Sequence, residues 1–182
     1  MSTTTTIDRL LAAGTYNIDV THSNARFEVE HAGISIFRGG FKPIDAKLVS
    51  GEAGLELDGT VRVETIDIDD ENIRPHLLSP EFFDAERNPD IRFRSTEITG
   101  SADQLTVTGV LEMAGASKPV QARGRLRGPV PGPGGGEKAS FYLETVVDRT
   151  EYGMDWQMDI PGGGVALANE VKLLVELELN RE

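Results

Sequence analysis

The chain of 182 residues carries 18 basic and 30 acidic side chains, a formal charge of −12, and no cysteine. The missing thiols exclude disulfides, iron–sulfur clusters and thiolate zinc sites. With this acidic balance and no Lys/Arg block, nucleic acid and anionic membrane surfaces are disfavoured as partners.

The length suits one domain that can bury a core without covalent staples. The opening MSTTTTIDRLLAAG has no basic run before its apolar residues, and Asp8 and Arg9 interrupt them, so it does not read as a secretory signal. No stretch approaches the ~18 consecutive apolar residues that a spanning helix needs. A cytoplasmic location without stable membrane insertion is the expectation. Residues 1–13 are read as an extension, in which Thr6 can cap a short helix carrying Ile7, Leu10 and Leu11 on one face, and Gly14 can end it.

After Gly14 the apolar period becomes two. Tyr16, Ile18 and Val20 alternate with polar neighbours, and Ala25, Phe27, Val29 and His31 oppose Arg26, Glu28 and Glu30. Phe41 to Val49 is a rougher strand after Gly39-Gly40. Leu55, Leu57, Val61 and Val63 continue the alternation, with a turn expected at Asp58-Gly59.

Residues 72–96, NIRPHLLSPEFFDAERNPDIRFRST, break the pattern with three prolines, Arg74, His76 and the Phe82-Phe83 pair. Ser79 and Pro80 can cap and start a short helical turn that places Phe82 and Phe83 over one end of the fold. Beyond it, inward phases run through Ile91, Phe93 and Ser95; Val107, Gly109 and Leu111; Ala122 and Gly124; Phe141, Leu143 and Thr145; and Val175, Leu177 and Leu179. The outward arginines Arg92, Arg94, Arg123, Arg125 and Arg127 are expected to pair with Glu112, Glu144, Glu176 or Glu178 across strands.

About eight half-apolar strands bury their inner faces either as a sandwich or as a closed barrel. A barrel of ~8 strands is filled solid or holds one small ligand. Periodicity does not separate these outcomes. Small residues such as Gly109, Ala122 and Gly124 among Phe, Leu and Val let a barrel taper or leave room for a guest.

No nucleophile elbow, phosphate loop or helical metal spacing is present, and His22, His31 and His76 have no carboxylates at ligand spacing. No catalytic residue, metal or catalytic cofactor is assigned. The lumen candidates are Phe27, Val29, Phe93, Val107, Leu111, Phe141, Leu143, Val175 and Leu177. His31, Arg74, His76, Ser95 and Thr145 are candidates for a head-group rim, and Phe82 and Phe83 for a plug.

Several separated motifs then share one resemblance. His22-Ser23 with Phe27, Val29 and His31; Arg38-Gly39 with Phe41; Arg74, His76-Leu77, Ser79 and Phe82-Phe83-Asp84; Lys118-Pro119-Val120; Asp148-Arg149; Tyr152-Gly153-Met154; and Glu170-Val171 resemble, in order, the signatures of the YceI-like family. The resemblance covers about residues 14 to 180. It implies an all-β, extended lipocalin-like antiparallel barrel with short helical segments over residues 14–182. It also implies non-catalytic binding of a polyisoprenoid, such as a quinone or a prenyl pyrophosphate, as cargo to be sequestered or transported. A homodimer is allowed for. Two positions depart from the family pattern. Pro75 follows Arg74 where an Asp is usual, and Asn169 stands where an acid commonly precedes Glu-Val. An enzyme acting on a lipophilic small molecule and a solid-core stress or interaction protein stay open beside this reading.

Overall fold

The computed structural model of the protein describes residue 7, residues 10–132 and residues 135–182. Its strands are β1 (Gly14–Ile18), β2 (Asn24–His31), β3 (Ser35–Phe41), β4 (Ile44–Gly51), β5 (Gly54–Arg62), β6 (Ile66–Asp67), β7 (Asp90–Gly100), β8 (Leu105–Met113), β9 (Ala116–Pro131), β10 (Glu137–Asp148) and β11 (Leu167–Arg181). A single α-helix among the described residues, α1 (Ile73–Leu78), lies between β6 and β7.

Neighbouring strands are antiparallel in the order β1-β4-β5-β7-β8-β9-β10-β11. The last strand returns to the first through Tyr16↔Arg181 and Ile18↔Leu179. That pairing closes an eight-stranded barrel and decides against a sandwich. The two halves of β11 have different neighbours. Its C-terminal end pairs with β1, while its earlier part pairs with β2, as in Leu173↔Phe27. Strands β2, β3 and β6 therefore carry the wall onward from β11, and α1 follows from the free edge at β6.

Alternation in the sequence matches the burial. Along β8, Leu105, Val107, Gly109, Leu111 and Met113 are buried, and the residues between them face outward or are half-buried. The expected turn at Asp58-Gly59 does not exist. Both residues lie inside β5, and Gly59 faces Ala46 on one side and Phe93 on the other. Here the glycine continues the strand instead of bending the chain, and a Cβ at this position would meet only ordinary contacts, the nearest the Asp45 carbonyl at 3.8 Å.

The helix also begins earlier than expected. Asp70 Oδ1 accepts from the amides of Asn72 (2.8 Å) and Ile73 (3.1 Å), so Asp70 satisfies the first donors of α1. Pro75 falls in the first turn, where its missing N–H costs little. Ser79 ends the helix, its hydroxyl donating to the His76 carbonyl at 2.7 Å.

Thr6 lies outside the described residues. Ile7 and Leu11 are buried, and the Ser50 hydroxyl donates to the Leu11 carbonyl at 3.3 Å. Tyr16, fully buried, donates to the Ala12 carbonyl (3.1 Å) and accompanies Glu137 Oε2 at 2.9 Å. Leu11 and Ala12 are thus held against β4 and β1. No helix among the described residues is long and apolar enough to cross a membrane.

Candidate ligand site

The barrel encloses an apolar cavity of about 370 Å³. Phe27, Val29, Phe93, Leu111, Leu143, Val175 and Leu177 line it. Val107 and Phe141 face inward as their phase requires, but both are fully buried in the solid part of the core and lie outside the lining. Strand phase fixes which face a side chain takes, not its height along the barrel.

Two glycines keep the cavity open. Gly39 lies opposite Phe27, and a Cβ there would collide with the tip of the Phe27 ring and come within 2.7 Å of Ile68. Gly109 lies under Phe93, with 2.5 Å between a Cβ and the ring. Each large ring rests over bare backbone instead of standing across the lumen. The structure gives the two glycines a purpose that composition alone did not: a recess for a ring on the wall.

One end of the lumen is framed by aromatic rings from two segments far apart in sequence. Helix α1 supplies His76, and the residues after it supply Phe82. The connection between β10 and β11 supplies Trp156. His76 stands edge-on to Phe82 (4.9 Å between centroids) and to Trp156 (5.1 Å), and Phe82 lies 5.6 Å from Trp156. His76 Nε2 is 2.7 Å from Glu81 Oε2, which fixes the imidazole in the plane it needs for both contacts. Phe83 packs edge-on against Phe41 at 5.7 Å. Phe82 and Phe83 are both buried and both line the cavity, with His76 and Trp156.

The β10–β11 connection is held by one buried cation. Arg149 is 3 % exposed. Its Nε donates to the Ala168 carbonyl (2.9 Å), and Nη1 donates to those of Met154 (2.6 Å) and Trp156 (2.9 Å). Nη2 reaches the Leu167 carbonyl and Asn169 Oδ1, each at 3.4 Å. Burial pulls the guanidinium below its ordinary pKa, opposed by the charges of Asp148 and Asp155. Asn169, one of the two departures from the family pattern, sits at this cation, so an acid at that position would face Arg149.

The remaining rim candidates are dispersed. His31 lines the lumen but is exposed, because β2 runs out to its turn there. Thr145 lines it too, with its hydroxyl donating to the Gln121 carbonyl at 2.8 Å. Ser95 is outside the lining and accepts from the Leu57 amide at 2.8 Å, beside the register shift between β7 and β8. Arg74 is outside it as well and donates to the Glu64 carbonyl at 2.6 Å. Trp156, Met154, Met158, Ala166 and Leu167 line the cavity without having been singled out as lumen residues. Most lie on an irregular connection with no apolar period; the Tyr152-Gly153-Met154 motif was the available signal.

Three of the five outward arginines are matched to local acids, with different partners from those expected. Arg92 meets Asp90 (2.7 Å), Arg94 meets Asp58 (3.0 Å), and Arg127 meets Asp103 (2.8 Å). Arg125 stacks over the Tyr142 ring at 4.4 Å. His22, Asp19 and Glu178 bring ligand-type atoms within 4.8 Å of one another. Lys138 bonds Glu178 and lies 3.7 Å from Asp19, so the ammonium already fills the role of the cation there.

The YceI-like domain model matches residues 16–179. This chain belongs to the YceI-like family. A UPF0312 protein of Photorhabdus laumondii is 31% identical over 175 residues, covering 93% of this chain and 88% of the relative. Protein YceI of Salmonella arizonae is 29% identical over 171 residues, covering 91% and 86%. Among solved structures, a YceI protein of Campylobacter jejuni superposes with a TM-score of 0.72 at 25% identity, covering 84% of this chain and 90% of that one. BcnA of Burkholderia cenocepacia gives 0.74 at 19% identity, covering 88% and 98%. A polyisoprenoid-binding domain of Saccharophagus degradans gives 0.65 at 9% identity, covering 94% and 100%, and shares the fold. The YceI-like barrel is therefore the architecture of this chain, as the motifs implied.

Proposed function

We propose that this protein binds and carries a long apolar amphiphile of the polyisoprenoid class inside the barrel, without transforming it. The observation that carries the reading is the apolar cavity of about 370 Å³, framed at one end by His76, Phe82 and Trp156. Pockets of this size and character are the usual sites for small apolar ligands. Burying hydrocarbon contributes ~25 cal/mol per Å², so affinity grows with tail length and discriminates poorly among tails. The name of the Saccharophagus degradans domain, which shares the barrel, supports the ligand class.

A binding role is favoured over catalysis by what the polar lining groups already do. Thr145 is bonded to Gln121, His76 to Glu81, and Arg149 to a ring of carbonyls. An uncharged head such as a quinone or a prenyl alcohol fits better than a pyrophosphate. Asp69, Asp70 and Glu71 precede α1, and Asp155 and Asp159 flank Trp156 and Met158, so the framed end carries negative charge. Native mass spectrometry of the purified protein, followed by solvent extraction and lipid identification, tests this. A neutral isoprenoid is the expected mass. Protein that carries no lipid and takes up no supplied prenyl alcohol sinks the proposal.

A further inference from the structure

We infer that the exposed apolar side chains around the framed end form a collar that docks on a bilayer of zwitterionic lipids, handing cargo between membrane and lumen. This inference rests on the lipid-carrier reading above. Five of the eight large apolar side chains exposed among the described residues belong to this end: Ile34 (88 %), Ile36 (42 %), Ile73 (37 %), Met158 (56 %) and Val165 (46 %). They sit on three segments that meet. The β2–β3 turn carries Ile34, and the Ala32 amide donates to the Ala166 carbonyl at 2.9 Å. The Ala166 amide in turn donates to the Met158 carbonyl at 2.8 Å, and Asp159 bridges to Val165. Ile73 lies on α1, whose His76 touches Trp156.

Continuity with the lumen names the occupant. Ile73 and Met158 are collar residues and also line the cavity. An apolar path therefore runs from the outside of the collar to the interior. A protein partner seated there would close the mouth, whereas a bilayer would extend the apolar phase to the cargo's own solvent. Trp156, half-buried at the mouth, has the amphipathic ring that favours the membrane–water boundary.

Charge narrows the kind of bilayer. Asp69, Asp70, Glu71, Asp155 and Asp159 flank the collar. Of the cations nearby, Arg38 is paired with Glu28 at 3.1 Å, and Arg74, which donates to the neutral Glu64 carbonyl, keeps its charge but is outnumbered by these five acids. Anionic head groups would be repelled over a Debye length of ~8 Å at physiological salt. The surface that fits is a zwitterionic one.

The test uses the full chain and a double variant, Ile34→Ser with Val165→Ser, at two exposed positions outside the cavity lining. Uptake of an NBD-labelled prenyl alcohol added from ethanol is measured first, and should be equal for the two proteins. Transfer of the same probe from phosphatidylcholine vesicles should be about tenfold slower for the variant. Transfer to the unaltered protein should slow when phosphatidylglycerol is added to the vesicles. Equal vesicle transfer by both proteins overturns the collar. So does sedimentation showing a dimer that the variant dissociates, which would assign the patch to a second copy of the chain. Failure of direct uptake by the unaltered protein is a different result, and removes the carrier reading itself.

Discussion

The imidazole of His76 stands edge-on to the indole of Trp156, with centroids 5.1 Å apart and planes at 88°. The contact joins α1 to the β10–β11 connection, two segments with no strand pairing between them. Aromatic pairs of this kind contribute ~0.5–1.5 kcal/mol beyond their burial. His76→Ala removes this pair and the one to Phe82 while leaving the barrel wall untouched. Ligand should then leave about 2- to 12-fold faster for each pair lost, by the same energies. Stopped-flow dissociation monitored through Trp156, the only tryptophan, measures it. An unchanged off-rate would mean that the rings do not gate the cavity.

The recess under Phe27 makes a second prediction about capacity. A methyl group at position 39 has no room beneath the ring, and the ring tip is the part that can move. Gly39→Ala should push Phe27 into the lumen and shorten the longest tail the protein retains, with stability falling by only ~1–3 kcal/mol from the overpacking. A series of prenyl alcohols of increasing length, titrated against both proteins, reads the effect. The loss should be confined to the longer members.

Much of this barrel was legible because one face of each strand is apolar and the other largely polar, as in β8 and β10. Closure was not legible from that pattern. It depends on the last residues of β11 reaching Tyr16 and Ile18, a pairing between the two ends of the chain. Phase put Val107 and Phe141 on the inner face, where they are, yet could not say that the cavity stops short of them. Ser95 and Thr145 read as polar groups on an apolar phase, and each proves to be bonded to a neighbouring strand's backbone. The mouth was the hardest part to anticipate. Trp156 and Met158 lie where no period operates; Arg149 holds the Trp156 carbonyl, and the Ala166 amide holds that of Met158.

Arg149 makes a third prediction. Removing a buried cation that satisfies several carbonyls leaves those acceptors unpaired. Arg149→Met should cost ~2–5 kcal/mol in urea unfolding and loosen the connection that carries Trp156. Asn169→Asp tests the other half of the arrangement. Its carboxylate would stand where Asn169 Oδ1 now lies, 3.4 Å from Nη2, and face the guanidinium. Because residue 169 is exposed, the gain should be only ~0.5–1 kcal/mol at neutral pH. It should vanish when acid protonates the new carboxylate. A destabilised Asp variant would show that Arg149 is already fully compensated by its carbonyls.

A fourth prediction concerns alkaline pH. Burial first, then the hydrogen bond and charge of Glu137, push the Tyr16 hydroxyl up to about 12. Burial, with the nearby Glu151 charge, pushes Tyr152 up to about 12 as well. Both phenols thus hold their protons more tightly folded than unfolded, where the ordinary value is 10.0. Their contribution is fully present below pH 10 and is lost as pH rises towards 12, because the unfolded chain releases protons that the folded one retains. Urea midpoints should therefore fall across that window. Tyr152→Phe should flatten the fall by removing one titrating group. It also removes a buried hydroxyl that has no hydrogen-bond partner among the described residues, so the variant should match or exceed the parent's stability at neutral pH. Tyr16→Phe should flatten the same limb but lower stability at neutral pH, because the Ala12 carbonyl and Glu137 lose their shared partner. If the two variants behaved alike at neutral pH, the difference between a bonded and an unbonded buried phenol would not be what sets their stability.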